Sequence, residues 1–176
     1  MDKGSRTMKA SELKEKQYPN FPELIDFNIP LHLLNAEVVL RLQELREIFG
    51  YPILPSPIKE GWARLGGSKD SQHYAVNRLS TAGDIFPERG YIIDCWLSAQ
   101  QIPEIMGLGL YLDTNGIDGN FWPMLHFDLR KSNKRVFWIR ENGKYYYLKN
   151  HFWHYFNKLV NIDKEFRDGE RTPRPR

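Results

Sequence analysis

The sequence predicts an α+β fold: a single domain with an antiparallel sheet and N-terminal helices packed on one face of it. Three observations carry this expectation. A chain of 176 residues is the size of one domain and can bury a core without staples. The strongest helical period comes early, over "AEVVLRLQELREIFG", where Val38, Leu42, Leu45 and Phe49 recur on one face. The β-forming runs come late, from "GLGLYLD" through "FWPMLHFDLR" and "RVFWIR" to "YYYL".

In chain order, residues 1–10 read as a loose arm, and Ser11 before "ELKEK" can cap a short helix. The proline-rich "YPNFPELIDFNIP" reads as an irregular wrapping segment. Asn35 suits the N-cap of the early helix and Gly50 its stop. "YPILPSP" is a short strand, and "KEGWARLGGSKDS" is loop. The next stretch, "SKDSQHYAVNRLSTAGDIF", reads as a small-residue loop holding His73 and Asp84. "GYIIDCWL" looks like a strand, though a helix through "DCWLSAQQIPEIM" up to Pro103 is also compatible. "TNGIDGN" is a turn, and Asn142-Gly143 is a two-residue hairpin signal. "NHFWHYFNKLV" closes the chain as a helix whose aromatic face is expected to pack on the sheet. The organisation expected is an arm and wrapping segment (1–34), a main domain (35–150), and a closing helix with a disordered tail (151–176).

Composition excludes several classes. With 41% hydrophobic, 14% aromatic and 27% charged residues, the chain is globular in type. Its formal net charge of +3 is compatible with an anionic partner, and much of the basic excess lies in the tail "RDGERTPRPR". Cys95 is the single cysteine, so an intramolecular disulfide and a cysteine zinc site are both excluded. Its apolar surroundings suggest a buried, inert thiol. "MDKGSRTMKASELKEK" has no apolar signal region, and no run suits a transmembrane segment. A soluble monomer, cytoplasmic at synthesis, is therefore expected. "GLGLYLDTNG" lacks the Lys-Ser/Thr of a phosphate loop, and no G-x-S-x-G occurs. "KRVFWIRENGKYYYLK" could stack bases, but a hairpin of β-formers accounts for it more simply, so no nucleic-acid partner is expected.

Histidine carries the remaining chemistry. If "MLHFDLR" is a strand, Met124, His126, Asp128 and Arg130 share one face while Leu125, Phe127 and Leu129 face the core. A catalytic zinc takes about three protein ligands from His, Asp or Glu and keeps a position open for water. His73, Asp84 and His126 would supply that set from separate segments. His151 and His154 form H-x-x-H, but their aromatic flanks favour a packing role.

Together these motifs resemble the family of zinc D-Ala-D-Ala carboxypeptidases and endopeptidases with the hedgehog/DD-peptidase fold, notably its bacteriophage and prophage branch. The family pattern is S-x-H-x-x-G-x-A-x-D, then G-x-G-x-Y, then H-x-D. Here it is matched by Ser71-Gln72-His73 with Ala82-Gly83-Asp84, by "GLGLY" ending at Tyr111, and by His126-Phe127-Asp128, within residues 35–140. The resemblance implies that His73, Asp84 and His126 hold Zn²⁺, that Asp128 orients the site from behind the ligands, and that Ser71 helps hold a substrate carboxylate. It implies hydrolysis of a D-Ala-containing peptidoglycan stem peptide at the bacterial cell wall, reached after release or as part of a virion. Three positions depart from the pattern. His73 and Asp84 are more widely spaced than in the family, with an insertion around "NRLSTA". Lys59 in "SPIK" replaces an arginine as the cation toward substrate, keeping charge but losing the bidentate fork. Pro123 stands where many members carry a proton-transferring carboxylate, and Asp118 in the nearby turn is a possible substitute.

Overall fold

A computed structural model describes residues 7–88, 91–116, 119 and 121–167. Its elements are α1 (Glu23–Asp26), α2 (Ala36–Phe49), β1 (Ile53–Pro55), β2 (Ala82–Pro87), α3 (Ile92–Ala99), β3 (Gly107–Tyr111), β4 (Met124–Asp128), β5 (Val136–Glu141), β6 (Lys144–Tyr147) and α4 (Leu148–Arg167). The strands form one sheet in the order β1-β2-β4-β3-β5-β6. This is the α+β class that the order of hydrophobic periods predicts.

Helix α2 forms for the reasons visible in its sequence. Asn35 Oδ1 accepts from the Glu37 amide at 3.0 Å, a cap worth about 1 kcal/mol. Gly50 ends the helix at φ 78°. Val38, Val39, Leu42 and Leu45 are fully buried. They join a core with Leu108, Leu110, Leu125, Phe127 and Ile139, which alternate along β3, β4 and β5. Helices α2 and α3 pack together, and α3 packs on β4 and α4. The helices therefore claim the odd-numbered side of β4, and its even-numbered side is left for His126 and Asp128. The hairpin at Asn142-Gly143 has φ of 50° and 73°, the paired positive angles of a type I′ turn.

Several expectations are corrected. The sheet is not wholly antiparallel: β4 lies between β2 and β3, so β5 pairs with the far side of β3 in parallel. "AGDIFP" is a strand rather than loop, and all six of its residues are buried. A strand covered on both sides shows no alternation, which hides it from periodicity. "IIDCWLSA" is helical, with Ile92, Cys95 and Ala99 facing the core at helical spacing. Cys95 is buried, and burial pushes its thiol pKa up, as expected of an inert thiol.

At the start of the chain two 3₁₀ turns, Ala10–Glu12 and Glu15–Gln17, replace the helix expected after Ser11. Nor is the arm loose from Met8 onward. The Met8 carbonyl accepts from the Ala36 amide at 3.0 Å, and Ala10 is buried. Helix α4 docks through Leu148 and Leu159 and has a break at His151 (φ −139°). Phe152, Trp153 and Phe156 are exposed rather than packed on the sheet. The tail 168–176 and Asp118 lie outside the described residues.

Candidate metal centre

The pairing of β2 with β4 sets Asp84 directly opposite His126, so both side chains rise on the same side of the sheet. His73 reaches them from the loop before β2. His126 Nδ1 lies 2.8 Å from Asp84 Oδ1 and 3.0 Å from His73 Nε2, and His73 Nε2 lies 3.4 Å from Asp84 Oδ1. All three side chains are buried. This group, two imidazole nitrogens and one carboxylate oxygen converging on a point, could hold a metal ion. His73 Nδ1, the ring nitrogen that does not face this group, is buried without a hydrogen-bond partner among the described residues.

The His73 loop is pinned although it is not a regular element. The Arg64 amide donates to the His73 carbonyl at 2.7 Å, and the Ala75 amide donates back to the Arg64 carbonyl at 2.8 Å. Ser80 Oγ ties the loop to the carbonyls of Trp62 and Gln72. Arg78, in "NRLSTA", donates to the carbonyls of Lys69, Ser71 and Tyr74. This segment thus braces the loop that delivers His73.

Behind the donors stands a second row. His126 Nε2 lies 3.1 Å from Asp128 Oδ2, which fixes the ring so that Nδ1 faces Asp84 and His73. Asp128 is fully buried and clamped by Arg130, whose Nε donates to Oδ1 at 2.7 Å and Nη2 to Oδ2 at 2.5 Å. The "GLGLY" motif has a physical meaning here. Gly107 lies opposite Asp128, and Gly109 lies between His126 and Trp138. A Cβ on Gly107 would collide with the Asp128 carboxylate, and one on Gly109 with the Trp138 indole. Both side chains lie over the strand only because the glycines leave the space. Trp138 then stands 5.2 Å from His126, ring to ring, and Arg130 lies over the indole at 5.3 Å.

Charge in the cluster is strongly coupled. Burial alone would raise the Asp84 carboxyl, but the His73 and His126 imidazoles hold it well below the usual carboxylate range. Burial works against a charged His126, yet Asp128 and Asp84 lift it to about 9. Burial likewise opposes ionisation of Asp128, and Arg130 and His126 pull it down. The Tyr111 phenol is pushed up, first by burial and then by the Asp84 charge.

The three predicted ligands and Asp128 therefore come together. Ser71 stays two residues from its ligand, its Oγ accepting from the His73 amide at 3.3 Å. Lys59 does not join them: it is exposed and its side chain makes no hydrogen bond or ion pair among the described residues. The 3₁₀ turn that carries it, Lys59–Gly61, abuts Asp84 through Gly61 instead. His151 and His154 lie on α4, outside the group of possible metal ligands. Sequence reasoning missed Trp138, for which the alternation of "RVFWIR" puts Trp138 and Arg140 on one face but cannot say which face meets His126. Comparisons of the chain with protein-family models, with curated proteins and with solved structures gave no match.

Proposed function

We propose that the chain is a zinc-dependent peptidase that cleaves D-Ala-containing peptidoglycan stem peptides, as its motifs resemble those of the zinc D-Ala-D-Ala peptidases. The observation that carries this reading is the convergence of His73 Nε2, Asp84 Oδ1 and His126 Nδ1 within 2.8–3.4 Å. Ligands about 2.0–2.1 Å from a tetrahedral zinc stand about 3.3 Å apart, close to these separations. Two histidines and one carboxylate leave a fourth position for substrate or water, the pattern of catalytic rather than structural zinc. When bound, zinc supplies carbonyl polarisation and lowers the pKa of a water molecule toward neutrality.

The chain's own residues do the rest. Asp128 holds His126 in the orientation that frees Nδ1, and Arg130 keeps Asp128 ionised. Trp138 walls the donors on the β5 side and limits water there. Ser71 and the loop braced by Arg78 position His73 beside the place a substrate would occupy.

A second reading rests on a specific observation. Pro123 cannot transfer protons, and Asp128, the carboxylate next to His126, is engaged by Arg130. On that reading the protein binds zinc and wall peptides, or serves in a virion, without efficient cleavage. General acid–base assistance is typically worth about 10²–10⁴-fold. Metal analysis with a turbidity assay on purified cell walls separates the two. Stoichiometric zinc with chelator-sensitive release of peptide supports the peptidase. Stoichiometric zinc without cleavage supports the binding protein. His126→Ala is expected to abolish zinc binding and His151→Ala to leave it intact; retained zinc in His126→Ala refutes both readings.

A further inference from the structure

A cavity of about 710 Å³ opens on the side of the sheet where β4 ends, within the size range of small-molecule sites. It adjoins the metal centre in sequence at two points: Gln72 precedes His73, and Arg130 clamps Asp128. Its charged lining residues are Lys9, Arg78, Arg130 and Lys131, and no Asp or Glu among the described residues lines it. The chain as a whole carries 25 basic and 22 acidic residues, so this single sign is not the average surface. The cations also arrive from three separate segments: the N-terminal arm, the loop before β2, and the stretch after β4.

Two of the four are held in place. Arg78 donates through Nε and Nη2 to backbone carbonyls, and Arg130 donates through Nε and Nη2 to Asp128. In both, Nη1 makes no hydrogen bond among the described residues. Lys9 and Lys131 are exposed and make no ion pair among the described residues. The charge of Arg130 is already balanced by Asp128, but Arg78, Lys9 and Lys131 have no ion-pair partner among the described residues, and an anion placed between them relieves their mutual repulsion. A guanidinium already fixed by its other edge loses little freedom on binding an oxyanion.

We propose that this cavity is an oxyanion-binding site, taking a phosphate or carboxylate group of an anionic ligand between Arg78, Arg130, Lys9 and Lys131. The site is independent of whether the metal centre hydrolyses peptides. The test uses the full-length, zinc-loaded protein and its Lys9→Glu/Lys131→Glu double variant. Both substitutions fall on exposed side chains, and zinc content and melting temperature are read on the same samples. Calorimetric titration with inorganic phosphate and, separately, with a tri-glutamate peptide tells which source of oxyanion the cavity prefers. The expected result is binding of at least one probe to the native chain, weakened by salt and weakened on the order of tenfold or more in the double variant with zinc retained. Equal affinity in the two proteins, or no binding of either probe to the native chain, overturns the proposal.

Discussion

Asp128 reaches the three donor atoms only through His126, yet it is more deeply buried than any of them. A buried carboxylate is costly unless paired, and Arg130 and His126 together pair it. Asp128→Asn keeps the shape but weakens the clamp and lets the His126 ring take the other tautomer. The expected outcome is zinc binding about 10–100-fold weaker with the fold retained, measured by competition with a chromophoric chelator. An unchanged affinity would mean that Asp128 serves the sheet rather than the metal. The same reasoning makes Arg130 part of the centre although it offers no ligand atom.

At the scale of elements, β3 shows why a small-residue motif sits beside a histidine strand. Gly107 and Gly109 lie on the same side of β3 as the donors, and Leu108 and Leu110 lie on the other. The strand is thus apolar toward the helices and bare toward the centre. Gly109→Ala places a methyl where the Trp138 indole lies, so either the indole or the strand must shift. Because His126 is paired with Gly109, that shift falls on the donors. We expect weaker zinc binding together with a lower melting temperature. Leu97→Ala, at an exposed position on α3, is the control and should change neither. Full retention of both properties in Gly109→Ala would refute this account of the motif.

At the scale of the molecule, the cluster couples stability to pH in two directions. Asp84 and Asp128 have folded pKa values below the ordinary carboxylate value of 3.8, so their contribution is present above that pH and is lost as pH falls through the folded values. His126 is raised from 6.5 to about 9, so its contribution is complete below 6.5 and is lost as pH rises through 9. Metal-free protein should therefore be most stable between about pH 4 and 6.5, with melting temperature declining on the alkaline side. A metal takes the place of the His126 proton, so binding near neutrality should release protons, and the metal-loaded protein should lack the alkaline decline. Thermal melts with and without chelator across this range check both points. An identical alkaline limb in the two forms would show that His126 is not a ligand.

Much of this was legible in the sequence because much of it is local. The period and caps of α2 depend on neighbours within one or two turns, and the Asn142-Gly143 hairpin depends on the backbone freedom of two residues. His73, Asp84 and His126 are expected together, with Asp128 behind them, from the resemblance of the motifs, and the structure does bring them together. What the sequence could not disclose depends on pairing across the chain. β2 lacks alternation because both of its sides are covered, and α3 shares its apolar composition with a strand. The parallel placement of β5 on β3 arises only once β4 has taken the antiparallel position between β2 and β3. That insertion brings Trp138 beside His126, and the N-terminal arm against α2 brings Lys9 toward Arg130. Local residue chemistry determined which groups could bind a metal. Only the long-range register of the sheet decided that their donor atoms meet within 3.4 Å, and which neighbours stand around them.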